Sequence, residues 1–241
     1  MEIRINKYLA DAGIASRRQA DKLVEDGLVT INGRRAKNAD KVKEQDEVCV
    51  RGKRVFLQDE KHVVAFYKPV GVTCTKQDKY AKLTIDDVFH YPVRLNYAGR
   101  LDKDSEGLLL MTNDGELIDR MMRAKNYHEK EYIVKTDREI TEEFVQNMEE
   151  GIYLEELEVK TRPCKVVKEG KYTFRIVLTQ GLNRQIRRMC ASRGYKVKSL
   201  LRVRVMNITL EHLKAGQYRR LEGKELDTLY KLAGLNVPDG N

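Results

Sequence analysis

The stretch Gly99-Arg100-Leu101-Asp102-Lys103-Asp104-Ser105-Glu106-Gly107 sets a dense group of charges between two glycines, and Leu108-Leu109-Leu110-Met111-Thr112 follows it. The apolar run is too short to span a membrane and has the length of a buried strand. The charges therefore sit on a turn carried by the core, where chemistry is commonly placed. Three chemistries compete. A calcium loop would use Asp102, Asp104 and Glu106 with Gly107 at the tight turn, but its twelfth position is Asn113 and no flanking helix follows. A plain charged turn with an Arg100–Asp102 surface pair would be worth little. The third is a nucleophilic or general-base carboxylate, Asp102, held beside arginines that keep it ionised.

The elements that must carry this turn read as a mixed set. Val63-Val64-Ala65-Phe66-Tyr67 is a buried strand stopped at Lys68-Pro69-Val70-Gly71-Val72, a turn. Thr84 is placed to cap a helix holding Ile85, Val88 and Phe89, and Asn113-Asp114-Gly115 opens one carrying Leu117, Ile118, Met121 and Met122. Strands follow at Glu131–Val134, Pro163–Val167 and Tyr172–Leu178, with a Thr141-capped helix among them. A basic helix runs from Gln185 to Ala191, an alternating strand from Val203 to Ile208, and a closing helix holds Leu226, Leu229, Tyr230 and Leu232. Strands interspersed with helices in no regular βαβ rhythm predict an α+β fold on a mixed, mainly antiparallel sheet.

At 241 residues, 41% of them hydrophobic and 34% charged, the chain is long enough for one or two cores under a highly charged surface. Its net charge of +9 points to a polyanionic partner, most simply nucleic acid. The distribution is sharper than the total: from Asn183 to Arg204 there are eight Lys or Arg (184, 187, 188, 193, 196, 198, 202, 204) and no Asp or Glu. The start, from Met1 to Ile5, shows no signal-peptide pattern, and no stretch has the length of a spanning helix. Cys49, Cys74, Cys164 and Cys190 form no CxxC pair, which predicts reduced thiols in a cytoplasmic protein and no zinc site.

Residues 1–54 read as a small module. Asn6 is the expected cap of a first helix closed by Gly13. Ser16-Arg17-Arg18-Gln19 has the capping-box spacing for a second helix ending at Gly27, and Asn32-Gly33 is a tight-turn signal behind the strand Leu28–Ile31. This order, with Arg4-Ile5-Asn6-Lys7-Tyr8-Leu9, Ser16-Arg17-Arg18 and Val29-Thr30-Ile31-Asn32-Gly33, resembles the S4 RNA-binding domain over residues 3–51. Arg4, Lys7, Arg17, Arg18 and Lys22 would then meet phosphates. Arginines at a helix start oppose its dipole, so Arg17 and Arg18 call for such a reason. Residues 55–62, including Asp59, read as a linker, and 63–241 as the second domain.

A second resemblance decides among the three chemistries. The Gly99–Leu110 stretch with Thr112-Asn113-Asp114-Gly115 is similar to the signature of the RsuA-type pseudouridine synthases. Lys68-Pro69-Val70-Gly71-Val72, Lys130-Glu131-Tyr132 and Gly181-Leu182-Asn183-Arg184-Gln185-Ile186-Arg187-Arg188-Met189 match the family's other motifs in order. His128-Glu129-Lys130-Glu131-Tyr132, Gly181-Leu182-Asn183 and Val205-Met206-Asn207 look most like its RluF branch, which acts on large-subunit ribosomal RNA and on a transfer RNA. Tyr97-Ala98 departs from the family, which has a proline-containing pair there.

The resemblance implies a pseudouridine synthase fold behind the S4 domain, and uridine-to-pseudouridine isomerisation on an extruded base. Asp102 would be the catalytic carboxylate, Tyr132 would stack on the uracil, and Arg187 would pair with Asp102 and fix its direction. Arg100, with its neighbours Leu101 and Lys103, is expected at the RNA, in the space the base leaves. Asn183, Arg184 and Gln185 are expected on the RNA backbone. Arg188, Arg193, Lys196, Lys198, Arg202 and Arg204 would form a sequence-independent track. No group is imported and nothing is oxidised, so no cofactor and no metal is expected, and a monomer is expected. The competing class is an RNA-binding or ribosome-assembly factor that keeps the fold without the chemistry. An S4-bearing methyltransferase or aminoacyl-tRNA synthetase would need nucleotide-binding motifs that the chain lacks.

Overall fold

The computed structural model describes residues 2–58, 60–75 and 82–238. Of the positions named above, Met1 and Asp59 lie outside it, as do the last three residues of the second domain. The first module builds on two short helices, Ile5–Asp11 and Arg17–Glu25. The second helix begins as its spacing predicts: the Gln19 amide donates to Ser16 Oγ at 3.3 Å and the Ser16 amide donates to Gln19 Oε1 at 3.0 Å. The first does not. Arg4 holds the cap position with no side-chain bond, and Asn6 instead donates to Asp21 Oδ1 at 2.8 Å, tying the two helices together. Asn32 and Gly33 both have positive φ, the geometry of a tight hairpin between Val29–Ile31 and Arg34–Arg35.

The sheet of this module runs Arg34–Arg35, Val29–Ile31, Val48–Val50, Lys53–Val55, all antiparallel. The last strand corrects the expected boundary. Val55, assigned to the linker, is 6% exposed and packs with Ile5, Leu9 and Val48. The connecting segment begins at Phe56, which is 65% exposed.

The second unit is a nine-stranded sheet in the order Lys165–Gly170, Thr173–Leu178, Lys130–Thr136, Val197–Val205, Glu106–Thr112, Val63–Lys68, Tyr218–Arg220, with Asn96–Ala98 and Ile208–Thr209 attached at its sides. Every pairing is antiparallel except one: Glu106–Thr112 runs parallel to Val197–Val205, with Gly107 opposite Arg202. That join divides the sheet into two halves. On one half, Val63–Lys68 and Glu106–Thr112 are covered on both faces. Ala65, Leu108 and Leu110 pack under the helices Gly115–Met122 and Gly223–Leu232, while Phe66, Leu109 and Met111 pack against Val72, Ile85 and Phe89. This two-sided burial is why Leu108–Met111 is apolar without alternation. On the other half, Val134, Phe174 and Ile176 bury against the helices Glu142–Glu149 and Gln185–Ser192.

Of the strand boundaries that differ from expectation, two have a plain local cause. Pro163 and Cys164 precede the strand, which starts at Lys165, since proline lacks the amide a ladder needs. The alternation from Val203 to Ile208 is not one strand but the end of Val197–Val205, a turn with Met206 at φ +54°, and the short return Ile208–Thr209. No helix among the described residues is long and apolar enough to cross a membrane.

Candidate active site

The loop between Gly99 and Gly107 lies at the join of the two half-sheets, and its backbone is held residue by residue. Asp102 O accepts from the Ser105 amide at 3.0 Å and Lys103 O from the Gly71 amide at 2.8 Å. Asp104 O accepts from Arg187 Nη2 at 2.7 Å, and Ser105 O from Lys68 Nζ at 2.7 Å. Four consecutive carbonyls thus have four donors, three from two other segments and one from the loop itself. Leu101, 6% exposed, packs with Val72 and Ile85, and its amide donates to Cys74 Sγ at 3.4 Å. A loop fixed in this way presents the Asp102 carboxylate from a preorganised backbone.

The Asp102 side chain is about one-third exposed and faces a cavity of about 510 Å³, a size suited to one small ligand or one extruded nucleotide base. Arg100, Leu101, Lys103, Tyr132, Asn183, Arg184, Gln185 and Arg187 line the same cavity, so residues separated by more than eighty positions converge there. Among the described residues, the cation paired with the carboxylate is Arg184, whose Nη1 lies 3.8 Å from Asp102 Oδ2 and 3.7 Å from Asp104 Oδ2. Arg184 sits at φ +50° immediately before the Gln185–Ser192 helix, an uncommon left-handed conformation that ends the loop from Gly181.

This arrangement corrects the expected Arg187–Asp102 ion pair. Arg187 passes beneath the loop, donating to Asp104 O, to Ser105 Oγ at 3.3 Å and to Val197 O at 3.5 Å. Burial, and then the neighbouring Arg184, hold its pKa below the usual guanidinium value, while Asp102 and Asp104 act in the opposite sense. Arg187 therefore positions the loop, and Arg184 supplies the close charge. Gln185, expected on the RNA backbone, is 4% exposed: it accepts from the Leu182 amide at 3.1 Å and closes the loop. Leu101 is likewise a core anchor. Arg188 donates to Asn183 O at 3.0 Å and pairs with Glu156.

The basic track is also shorter than its sequence. Arg202 is 2% exposed, with its Nε donating to Leu108 O at 2.7 Å, and Arg204 pairs with Glu131 at 2.6 Å and Glu129 at 2.9 Å. Arg193, Lys196 and Lys198 remain exposed. The residues expected in the first module lie away from the cavity. Arg17 and Arg18 line a separate cleft of about 880 Å³ facing Tyr91, Arg94 and Tyr97, Lys7 pairs with Asp11 at 2.7 Å, and Arg4 and Lys22 are exposed.

Two basic residues at the site carry no expectation from the sequence. Lys68 is fully buried, donates to Ser105 O and to Pro69 O at 2.8 Å, and is pushed down to about 8, chiefly by burial. Lys130 lines the cavity and is likewise lowered to about 8 by burial and by Arg202. The signal was present in the Lys68-Pro69 and Lys130-Glu131-Tyr132 motifs, but a lysine in sequence reads as exposed.

Residues 62–192 match the family model described as RNA pseudouridylate synthase, and residues 3–48 that of the S4 domain. The chain belongs to the RNA pseudouridylate synthase family. It is 46% identical over 232 residues to the dual-specificity RNA pseudouridine synthase RluF of Escherichia coli (strain K12), covering 95% of this chain and 79% of that one. It is 34% identical to the ribosomal small subunit pseudouridine synthase A of Pasteurella multocida (strain Pm70), over 95% and 100% of the two chains. A crystal structure of a pseudouridylate synthase superimposes with a TM-score of 0.70 at 31% identity, covering 94% of this chain and 99% of that one. The protein is thus an RNA isomerase with an S4 domain in front of a pseudouridine synthase fold.

Proposed function

We propose that this pseudouridine synthase isomerises a specific uridine in structured RNA, large-subunit ribosomal RNA and a transfer RNA, with Asp102 as the catalytic carboxylate. The observation that carries the role of Asp102 is its setting: a partly exposed carboxylate on a loop whose four carbonyls are each tied down, at the floor of a base-sized cavity. The reaction breaks N1–C1′, turns the base and joins C5 to C1′. It needs the uridine out of its stack and a carboxylate beside the reacting atoms. Arg100, exposed at the cavity, would fill the space the base leaves, and Tyr132, on the cavity wall, would stack on the uracil. Arg184 lies beside the Asp102 carboxylate, and Arg187 and Lys68 tie down the loop that carries it. The substrate choice is supported by the likeness to the dual-specificity relative. We place the activity in the cytoplasm and the protein as a monomer whose first module grips RNA flanking the target.

The test uses ribosomal and transfer RNA from cells lacking the protein, with wild-type or Asp102→Asn protein restored, and carbodiimide-based mapping of pseudouridine. One or a few sites are expected to vanish and to return only with the wild type. If no site changes, or if Asp102→Asn restores one, the assignment of Asp102 is wrong and a non-catalytic RNA-binding role replaces it.

A further inference from the structure

Three side chains around the cavity carry nitrogens that the described residues leave wholly or largely unpaired. Arg202 is almost wholly buried, and its Nη2 has no partner among the described residues. Lys130 Nζ makes one hydrogen bond there, a long one of 3.5 Å to His128 O, so most of its donor capacity is unspent. His128 Nε2 is buried and also without a partner among the described residues. All three line the cavity that holds Asp102. No carboxylate pairs with Lys130 or Arg202 among the described residues, although buried charges are ordinarily paired.

The strand geometry places Lys130 and Arg202 beside Tyr132. Lys130 and Tyr132 are two residues apart on Lys130–Thr136 and so point to the same face. Arg202 is the cross-strand partner of Tyr132, brought opposite it by an irregularity of register between Glu131 and Tyr132. A uracil stacked on Tyr132 would have Lys130 on one side and Arg202 on the other. An unpaired cationic pair selects an acceptor with negative charge, and the reaction makes one. Heterolysis of N1–C1′ leaves both electrons on the base, a uracil monoanion with charge shared by N1, O2 and O4. When C5–C1′ forms, the C5 proton leaves and N1 takes up a proton, so the charge exists only between detachment and reattachment.

We propose that Lys130 and Arg202 form the subsite that binds the uracil carbonyl oxygens and stabilises the detached uracil anion. This rests on the Asp102 cavity being the isomerisation site. Lys130 must be protonated to serve. The groups that bear on it are Arg202 from the neighbouring strand and His128 from its own segment, and Arg202 and Asp102 both bear in turn on Lys68.

The experiment measures single-turnover tritium release from in vitro transcripts of large-subunit ribosomal RNA and transfer RNA carrying 5-tritiated uridine, together with RNA affinity by filter binding. Lys130→Met is expected to slow release about 100-fold, the scale of losing one donor to a developing anion, while affinity changes less than about threefold. Lys130→Arg is expected to keep most of the rate. The wild-type rate should fall above about pH 8, and Lys130→Arg should extend the plateau upward because guanidinium stays charged. Thermal melting of Lys130→Met accompanies the kinetics to detect any loss of the strand, and the pH profile of Lys130→Arg tests the subsite without depending on that variant folding. A Lys130→Met rate within a few-fold of wild type, a loss expressed wholly as weaker RNA binding, or a Lys130→Arg rate that falls at the same pH as wild type overturns the proposal. A wild type that releases no tritium overturns the isomerase reading of this site first, and the subsite with it.

Discussion

At the scale of single residues, the site separates the carboxylate proposed to act from the groups that hold its loop. Among the described residues, the Asp102 carboxylate has one cation, at 3.8 Å, and lines the cavity, whereas Lys68 has no access to solvent. Lys68 can be tested apart from the chemistry through its linkage to pH. Its pKa in the fold is about 8, against 10.5 for an ordinary lysine. Between those values the unfolded chain binds more protons, so the stability of the protein relative to a Lys68→Met variant rises as pH climbs from about 8 to 10.5. The rise across that range is expected to be about 3 kcal/mol. At pH 7 the variant removes a buried cation as well as two hydrogen bonds, so its melting temperature is expected to stay near wild type while turnover falls. Urea titrations of both proteins at pH 7, 8, 9 and 10 measure the difference directly. A gap that narrows with rising pH would mean that Lys68 is not held below its usual value.

At the scale of elements, the parallel join between Glu106–Thr112 and Val197–Val205 does most to place the site, because it brings the Asp102 loop against the strand carrying Arg202 and against Lys130 and Tyr132 beyond it. Gly107 makes the join possible. Its φ is +106°, and a Cβ there would lie 2.3 Å from Arg202 O and 2.8 Å from Arg202 N. Gly107→Ala is therefore expected to cost more than about 3 kcal/mol, since both strain and a backbone clash are involved. The readout is loss of soluble protein or a collapsed denaturation midpoint, while Gly33→Ala, which meets no atom within 4 Å, is expected to cost far less. Features set by local chemistry were legible in the sequence: the Ser16–Gln19 box, the Asn32-Gly33 turn, the Asp114 cap accepting from Glu116 and Leu117 amides. What was not legible depended on distant partners. Arg184 and Arg187 are three residues apart in one basic segment, and no local rule says which reaches a carboxylate and which a carbonyl. Arg202 alternates with apolar neighbours as a solvent-facing residue would, yet it is buried and donates to Leu108 O on the strand across the join.

At the scale of the whole molecule, the net charge of +9 overstates the surface available to RNA. Of the eight basic residues between Asn183 and Arg204, Arg187 is spent on the loop, Arg188 and Arg204 on glutamates, and Arg202 is buried. Arg193, Lys196 and Lys198 remain exposed in a contiguous segment, and Arg17 and Arg18 lie along the cleft between the first module and Tyr91–Tyr97. Each phosphate neutralised contributes about 0.7–0.9 to the slope of log affinity against log salt. Replacing Arg193, Lys196 and Lys198 together by alanine should thus reduce that slope by about two to three for a target transcript, and weaken binding at low salt far more than at high salt. Because none of the three touches the cavity, turnover at saturating RNA should be unchanged. Replacing Arg17 and Arg18 by glutamate should lower affinity in the same way, and the two effects should add, since the segments lie on different parts of the molecule. Filter binding from about 50 to 300 mM salt with each variant and the combination separates two routes for the RNA. An additive loss means that RNA spans both surfaces. A slope that responds to only one of the two sets would confine the RNA to that surface.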